Sequence, residues 1–197
     1  ESASQAAWLE ERCQQLGVRL HLRRQPIDPA GVGFEAAARR VRYTWLRELA
    51  GEALVVTGHT RDDVAETLLM KLVRGTWAGG LRGPRERRGT WLARPLLDCS
   101  RQSLRDYLRD RDIPWLEDPT NDDPLPLRNW VRLQVLPLLA ERNPRIQETL
   151  ARLLSMVIGV KGGMTILSQP SAEFSHGKCL RVKARVICRA RPSRWLN

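Results

Sequence analysis

The chain has 197 residues, 42% hydrophobic and 28% charged, which fits one ordinary domain plus something smaller with enough apolar material for a core. The net charge of +11 invites a nucleic-acid reading, but residues 158–197 hold eight Lys/Arg against one acid and leave only +4 for residues 1–157, so bulk charge alone does not establish RNA binding. No apolar run approaches the ~18 residues of a membrane span, and the opening ESASQAAWLEERC, which begins without Met, is neither a secretory signal nor an Arg-rich presequence.

Residues 4–16 are expected to be helical, with Ala7, Leu9, Cys13 and Leu16 as apolar positions and Gly17 at the stop. VRLHLRR (18–24) alternates apolar and polar residues as a half-buried strand does, and PIDPAGVG (26–33) is a loop by composition. A second helix is expected from Phe34 to Ala50, with Val41, Trp45 and Leu49 on one stripe and Gly51 closing it. ALVVT (53–57) is short and continuously apolar, the mark of a strand covered on both faces. A third helix follows from Asp62 to Arg74, with Ala65, Leu68, Leu69, Leu72 and Val73 apolar and Gly75 ending it. This alternation predicts right-handed crossovers onto a parallel sheet whose first strand–loop–helix unit is missing from the sequence.

Residues 76–97 are rich in Gly and Arg and read as a loop with a short strand. A helix over 98–112, capped by Asp98 or Ser100, should turn Leu104, Tyr107 and Leu108 inward. EDPTNDDP (117–124) is turn-rich, and helices are expected from about Pro126 to Ala140 and beyond Pro144 to Met156. Past Met156 acids become rare and no helical period is visible; short strands are expected at 164–167 and 180–188. Cys13, Cys99, Cys179 and Cys188, like His21, His59 and His176, lack paired metal-ligand spacing, so the thiols read as incidental in a reduced, cytoplasmic protein without a metal site.

Three segments can carry chemistry. Gly58 to Thr67 (GHTRDDVAET) joins a buried strand to a helix, where open α/β sheets bind ligands. Asp63 and Glu66, three apart, face one way; they are ligand-holding carboxylates or, alternatively, first-turn acids that complement the helix dipole and cap its N–H groups. Glu35 and Arg39 stand four apart beside Arg42 and Tyr43, as a site or as a solvated charged face. EDPTNDD precedes Arg128, Asn129 and Arg132, with Asp118 and Asn121 as turn and cap residues.

In this order the segments resemble the tRNA(Ile)-lysidine synthase family over residues 1–150. Glu35, Ala38, Arg39, Arg42 and Tyr43 match its E-x-x-A-R-x-x-R-Y; Gly58, His59, Asp62, Asp63, Glu66 and Thr67 match G-H-x-x-D-D-x-x-E-T. Arg74-Gly75, Gly80-Leu81 and Arg94-Pro95-Leu96-Leu97 follow, then Trp115, Glu117 to Asn121, Arg128-Asn129 and Arg132 for W-x-E-D-P-T-N and R-N-x-x-R. The resemblance implies an α/β, parallel-sheet, Rossmann-like PP-loop ATPase domain, N-terminally incomplete, over 1–97. A helical extension over 98–157 would complete the tRNA/ATP site, and a tail would span 158–197.

It further implies ATP with Mg2+, free lysine, an isoleucine tRNA with a CAU anticodon, a homodimer, a cytoplasmic location and no membrane. The wobble cytidine would be adenylated, pyrophosphate released, and AMP displaced by lysine. Asp63 and Glu66 would position lysine and cytidine with Arg39 in the same pocket, while His59, Asp62, Arg74, Arg128, Asn129 and Arg132 would bind ATP or RNA. The family's S-G-G-x-D-S loop has no counterpart here, since Gly79-Gly80 and Gly162-Gly163 lack the flanking Ser and Asp; Thr60 also stands where the family often has a second His. The isolated chain is therefore expected to be poorly stable and unable to hydrolyse ATP, and a degenerate tRNA-binding remnant is the alternative reading. A tRNA cytidine thiolase would need paired CxxC cysteines, which are not in the sequence.

Overall fold

The computed structural model describes residues 2–160, except 30, 32, 78 and 79, together with one strand near the C-terminus. The elements run α1 (Ser2–Gln15), β1 (Leu20–Arg23), α2 (Phe34–Ala50), β2 (Val55–Val56), α3 (Arg61–Val73), β3 (Arg87–Arg88) and β4 (Leu92–Ala93). Next come α4 (Arg101–Arg109), a 3-10 turn (Pro119–Asn121), α5 (Leu127–Trp130), a π-helical turn (Val131–Val135), α6 (Leu136–Arg142), α7 (Ile146–Val160) and β5 (Val186–Arg189). They form two compact units, one of the elements up to Leu49 together with β5, the other beginning at Ala50.

In the first unit α1 ends where the sequence places its stop. Gly17 takes φ +63, its N–H reaches Gln14 O at 3.0 Å, and the Val18 N–H reaches Cys13 O at 2.8 Å. This is the paired closure that a left-handed glycine permits. β1 pairs in parallel with β5, Leu20 opposite Val186 and Arg23 opposite Arg189, so the expected strand at 180–188 is realised over 186–189. The strand expected at 164–167 lies outside the described residues. Cys13, Ala37, Ala38 and Leu46 are buried. The stripe expected on α2 is thus displaced: Val41, Trp45 and Leu49 are only half-buried, and the small alanines beside Leu46 take the closest packing. Trp is rarely covered completely because of its size.

In the second unit β2 pairs in parallel with β4, Val55 opposite Leu92, and β3 pairs antiparallel with β4, so the order is β2-β4-β3. Only Val55 and Leu92 of this short sheet are buried; Val56 is 51% exposed. The expectation that ALVVT is covered on both faces therefore fails among the described residues. The apolar face of α3 is taken up by helices: Val64, Ala65, Leu68, Leu69 and Met70 form one core with Val131, Leu136, Leu150 and Leu154. Gly75, at φ +66, closes α3 as expected.

α4 is shorter than the expected 98–112. Ser100 caps it, its Oγ accepting the Ser103 N–H at 2.9 Å. Tyr107 is 51% exposed and carries the Arg111 guanidinium 3.9 Å from its ring centre, so it does not turn inward. The helix expected from Pro126 to Ala140 exists but is broken in pitch. Pro137 has no N–H and its ring would clash with the carbonyl one turn earlier. The preceding turn widens instead, with the Leu136 N–H reaching back to Val131 O. Such π-turns often carry functional side chains; this one holds Arg132.

Candidate functional site

Glu66, on the second turn of α3, has no exposed surface and is ringed by arginines. Arg132 on the π-turn donates from Nε to Oε1 at 2.7 Å and from Nη2 to Oε2 at 3.2 Å. Arg101, at the start of α4, donates from Nη2 to Oε1 at 3.1 Å. Arg128 of α5 brings Nε to 3.6 Å from Oε2. A buried carboxylate is costly unless paired and hydrogen-bonded, and this one has partners on both oxygens.

The neighbouring acids are also engaged. Asp63 Oδ2 accepts the Thr60 N–H at 2.8 Å and the Thr60 Oγ1 hydroxyl at 3.0 Å, which fixes the first turn of α3. Its Oδ1 lies 3.9 Å from Arg101 Nη2. Asp62 Oδ2 accepts the Arg101 backbone N–H at 2.7 Å and so ties the start of α4 to the start of α3. Burial disfavours the charge on Arg132, but the hydrogen bond and charge of Glu66, with Asp63 and Asp62 beyond, more than offset this and raise its pKa above the ordinary arginine value.

A second layer positions Arg132. Asp118 caps the 3-10 turn through Thr120, accepting its N–H at 3.0 Å and its hydroxyl at 2.7 Å. That turn presents Asn121, whose Oδ1 accepts Arg132 Nη1 at 2.9 Å. Asn129 is buried, and its Nδ2 donates to Thr120 O and Asp123 O, both at 2.7 Å, pinning the EDPTNDD loop to α5. Asp118, Thr120, Asn121 and Asn129 thus act together to hold the Arg132 guanidinium against Glu66, while Glu117 pairs with Arg105.

Of the residues singled out in the sequence, the structure brings together Asp62, Asp63, Glu66, Arg128, Asn129 and Arg132. His59 is next along the chain, with its Nδ1 2.9 Å from Thr57 Oγ1. Arg74 caps the far end of α3, ~16 Å along the axis from Asp63 at 1.5 Å per residue. Arg39 lies in the first unit, its guanidinium 4.9 Å from the Tyr43 ring centre. Arg101 was missed. Its signal was a cation at the first position of a helix, where the dipole disfavours positive charge; Arg61 on α3 carries the same signal. The capping reading of Asp63 is realised by Oδ2, and Oδ1 faces Arg101.

Among the described residues no three His, Cys, Asp or Glu side chains gather to hold a metal. Glu66 has N–H donors on both oxygens, whereas Asp63 and Asp62 each have only Oδ2 engaged in a hydrogen bond, with Asp63 Oδ1 3.9 Å from Arg101. The guanidinium donors do suit phosphate oxygens.

The model of the PP-loop domain matches residues 1–139. The chain belongs to the PP-loop family. Within it, the chain is similar to the tRNA(Ile)-lysidine synthase of Pseudomonas syringae, 44% identical over 153 residues that make up 74% of this chain and 34% of that relative. It is likewise similar to the tRNA(Ile)-lysidine synthases of Thermus thermophilus, 42% identical over 77% of this chain and 31% of the relative, and of Porphyromonas gingivalis, 39% identical over 96% of this chain and 42% of the relative. The chain spans about one third of the length of the curated relatives it matches. No described helix of this PP-loop chain is long and apolar enough to cross a membrane.

Proposed function

We propose that the chain carries part of the active site of a tRNA(Ile)-lysidine synthase, which ligates lysine to the wobble cytidine of the CAU-anticodon isoleucine tRNA at the expense of ATP. The observation that carries this reading is Glu66, buried and held by Arg101, Arg128 and Arg132 from three separate elements. The similarity to named lysidine synthases supports the choice of reaction.

In this reading the cytidine carbonyl oxygen attacks the α-phosphorus of ATP and pyrophosphate departs. The lysine amine then attacks the activated carbon, loses a proton, and AMP leaves with the oxygen. The chain's own residues orient these groups. Glu66 is a positioning residue: it anchors Arg101 and Arg132 and holds Arg128 nearby, and the less committed Arg128 turns its N–H groups toward phosphate oxygens or the anticodon backbone. Asp63, with Oδ1 less committed than Oδ2, holds the lysine ammonium and takes up the proton as the amine attacks. His59, Asp62 and Asn129 support the ATP and RNA side, and the parts of Arg39 and Arg74 rest on their motifs.

Mg2+ accompanying ATP, a homodimeric assembly, a cytoplasmic location, and a sheet domain over 1–97 followed by a helical extension over 98–157 complete the proposal. The test is lysine incorporation into the tRNA by the whole enzyme. Glu66→Ala should abolish it, and Asp63→Asn should lower it chiefly by raising the lysine KM. Wild-type rates in both variants refute the reading.

A further inference from the structure

Beside the Glu66 site, the second unit holds an open cleft of about 360 Å³, lined by Arg61, Arg101, Arg105 and Arg145 and by only two carboxylates, Asp62 and Glu148. The size falls in the range of ligand pockets. Both carboxylates are already spent. Asp62 Oδ2 accepts the Arg101 backbone N–H at 2.7 Å, and Glu148 Oε1 accepts Arg61 Nη1 at 3.2 Å. By formal charge the lining itself carries four guanidiniums against two carboxylates.

Three of the four guanidiniums are held from one side. Arg61 is tied to Glu148, Arg101 to Glu66, and Arg105 to Glu117 Oε1 at 2.7 Å. Each guanidinium has five N–H donors in a rigid fork, so these anchors leave donors over and also remove side-chain freedom that a ligand would otherwise have to quench. Arg145, the fourth, is exposed. Arg61 and Arg101 each open a helix, where the dipole disfavours a cation. Their ion pairs with Glu148 and Glu66 hold both side chains in place, and an oxyanion among them would also offset the dipole penalty.

The geometry points to this cleft as a phosphate site, in which one phosphate group of a bound polynucleotide or nucleotide sits among Arg61, Arg105 and Arg145. The choice of ligand rests on the reading of the chain as part of a tRNA enzyme. Arg101 is shared between cleft and Glu66, so a phosphate here lies next to the arginine cluster and would register the RNA or the nucleotide against it.

The experiment measures binding of the full chain to an RNA hairpin bearing a CAU loop and, separately, to ATP, over a series of salt concentrations. Arg105→Gln with Arg145→Gln empties the cleft of two cations without touching Glu66; Arg88→Gln with Arg152→Gln removes two exposed cations elsewhere. If the phosphate comes from RNA, the cleft variant binds the hairpin about tenfold more weakly with a salt slope smaller by about one, and the control variant does not. If it comes from the nucleotide, the same loss appears in ATP binding with RNA binding unchanged. Equal affinities of cleft and control variants for both probes overturn the cleft while leaving the tRNA reading intact. A wild-type chain that binds neither probe overturns both.

Discussion

Replacing Glu66 with Gln keeps the side chain's size and removes its charge. The carboxylate accepts hydrogen bonds from Arg132 at 2.7 and 3.2 Å and from Arg101 at 3.1 Å, with Arg128 at 3.6 Å. The amide retains one acceptor oxygen and turns an NH2 group toward donors, so at least one charge-assisted bond is lost and three cations lose their common partner. Removing one member of a buried ion pair costs ~3–5 kcal/mol. The arginine side chains here are 20–33% exposed, so water relieves part of this, and ~2–3 kcal/mol is the expected loss. At roughly 4 °C per kcal/mol for a unit of about this size, Tm should fall by about 10 °C. Thermal unfolding followed by circular dichroism measures this directly. The deficit should persist in about 0.5 M salt, because buried pairs are poorly screened. A fall of less than about 2 °C, or one that disappears with salt, refutes the account of Glu66 as the anchor of the cluster.

Arg132→Lys keeps the charge but loses the fork that reaches Glu66 and Asn121 together, so lysine incorporation by the whole enzyme should drop at least ~10-fold with a smaller Tm change than Glu66→Gln. Asn129→Ala leaves Thr120 O and Asp123 O without their donor and should cost ~1–3 kcal/mol in chemical denaturation. Gly83→Ala places a methyl group on the Leu154 side chain, which is itself 1% exposed and has no room to retreat, so ~1–3 kcal/mol of stability should be lost. Leu154→Ala in the Gly83→Ala background should cost less than in the parent, since the new methyl then occupies vacated space.

Helix ends were legible wherever local chemistry decides them. Gly17 and Gly75 stop α1 and α3 at the residues their type predicts, and Ser100 caps α4. What misled was burial. ALVVT has the composition of a doubly covered strand, but composition reports how apolar a segment is, not which layers reach it; α3 spends its apolar face on α7 and the π-turn, leaving Val56 exposed. Tyr107 satisfied helical periodicity yet faces solvent under Arg111, because an aromatic ring can be covered by a guanidinium instead of a core. The π-turn was not legible as such, although Pro137 within an otherwise helical run is its local cause. In the site, Glu66 and Arg132 were found from motifs 66 residues apart in pairing, whereas Arg101 sat outside every motif and was visible only as a cation placed against a helix dipole.

The arrangement around Glu66 also couples these motifs physically within the chain. A lone carboxylate with no exposed surface would be protonated or expelled, and three clustered guanidiniums would repel one another. Each therefore makes the other tolerable, and neither can be changed alone without penalty. The EDPTNDD loop then acquires its role from geometry: Asp118 shapes the turn, Asn129 pins it, and Asn121 takes the one Arg132 nitrogen that Glu66 does not. With its position fixed from both sides, Arg132 spends its donors on protein, while Arg128, whose Nε remains 3.6 Å from Glu66 and whose Nη2 reaches Thr67 only at 3.4 Å, is the least committed of the three. The arginine most able to turn toward a phosphate is thus Arg128, and the cluster divides into two guanidiniums that build the site and one that is available to serve it.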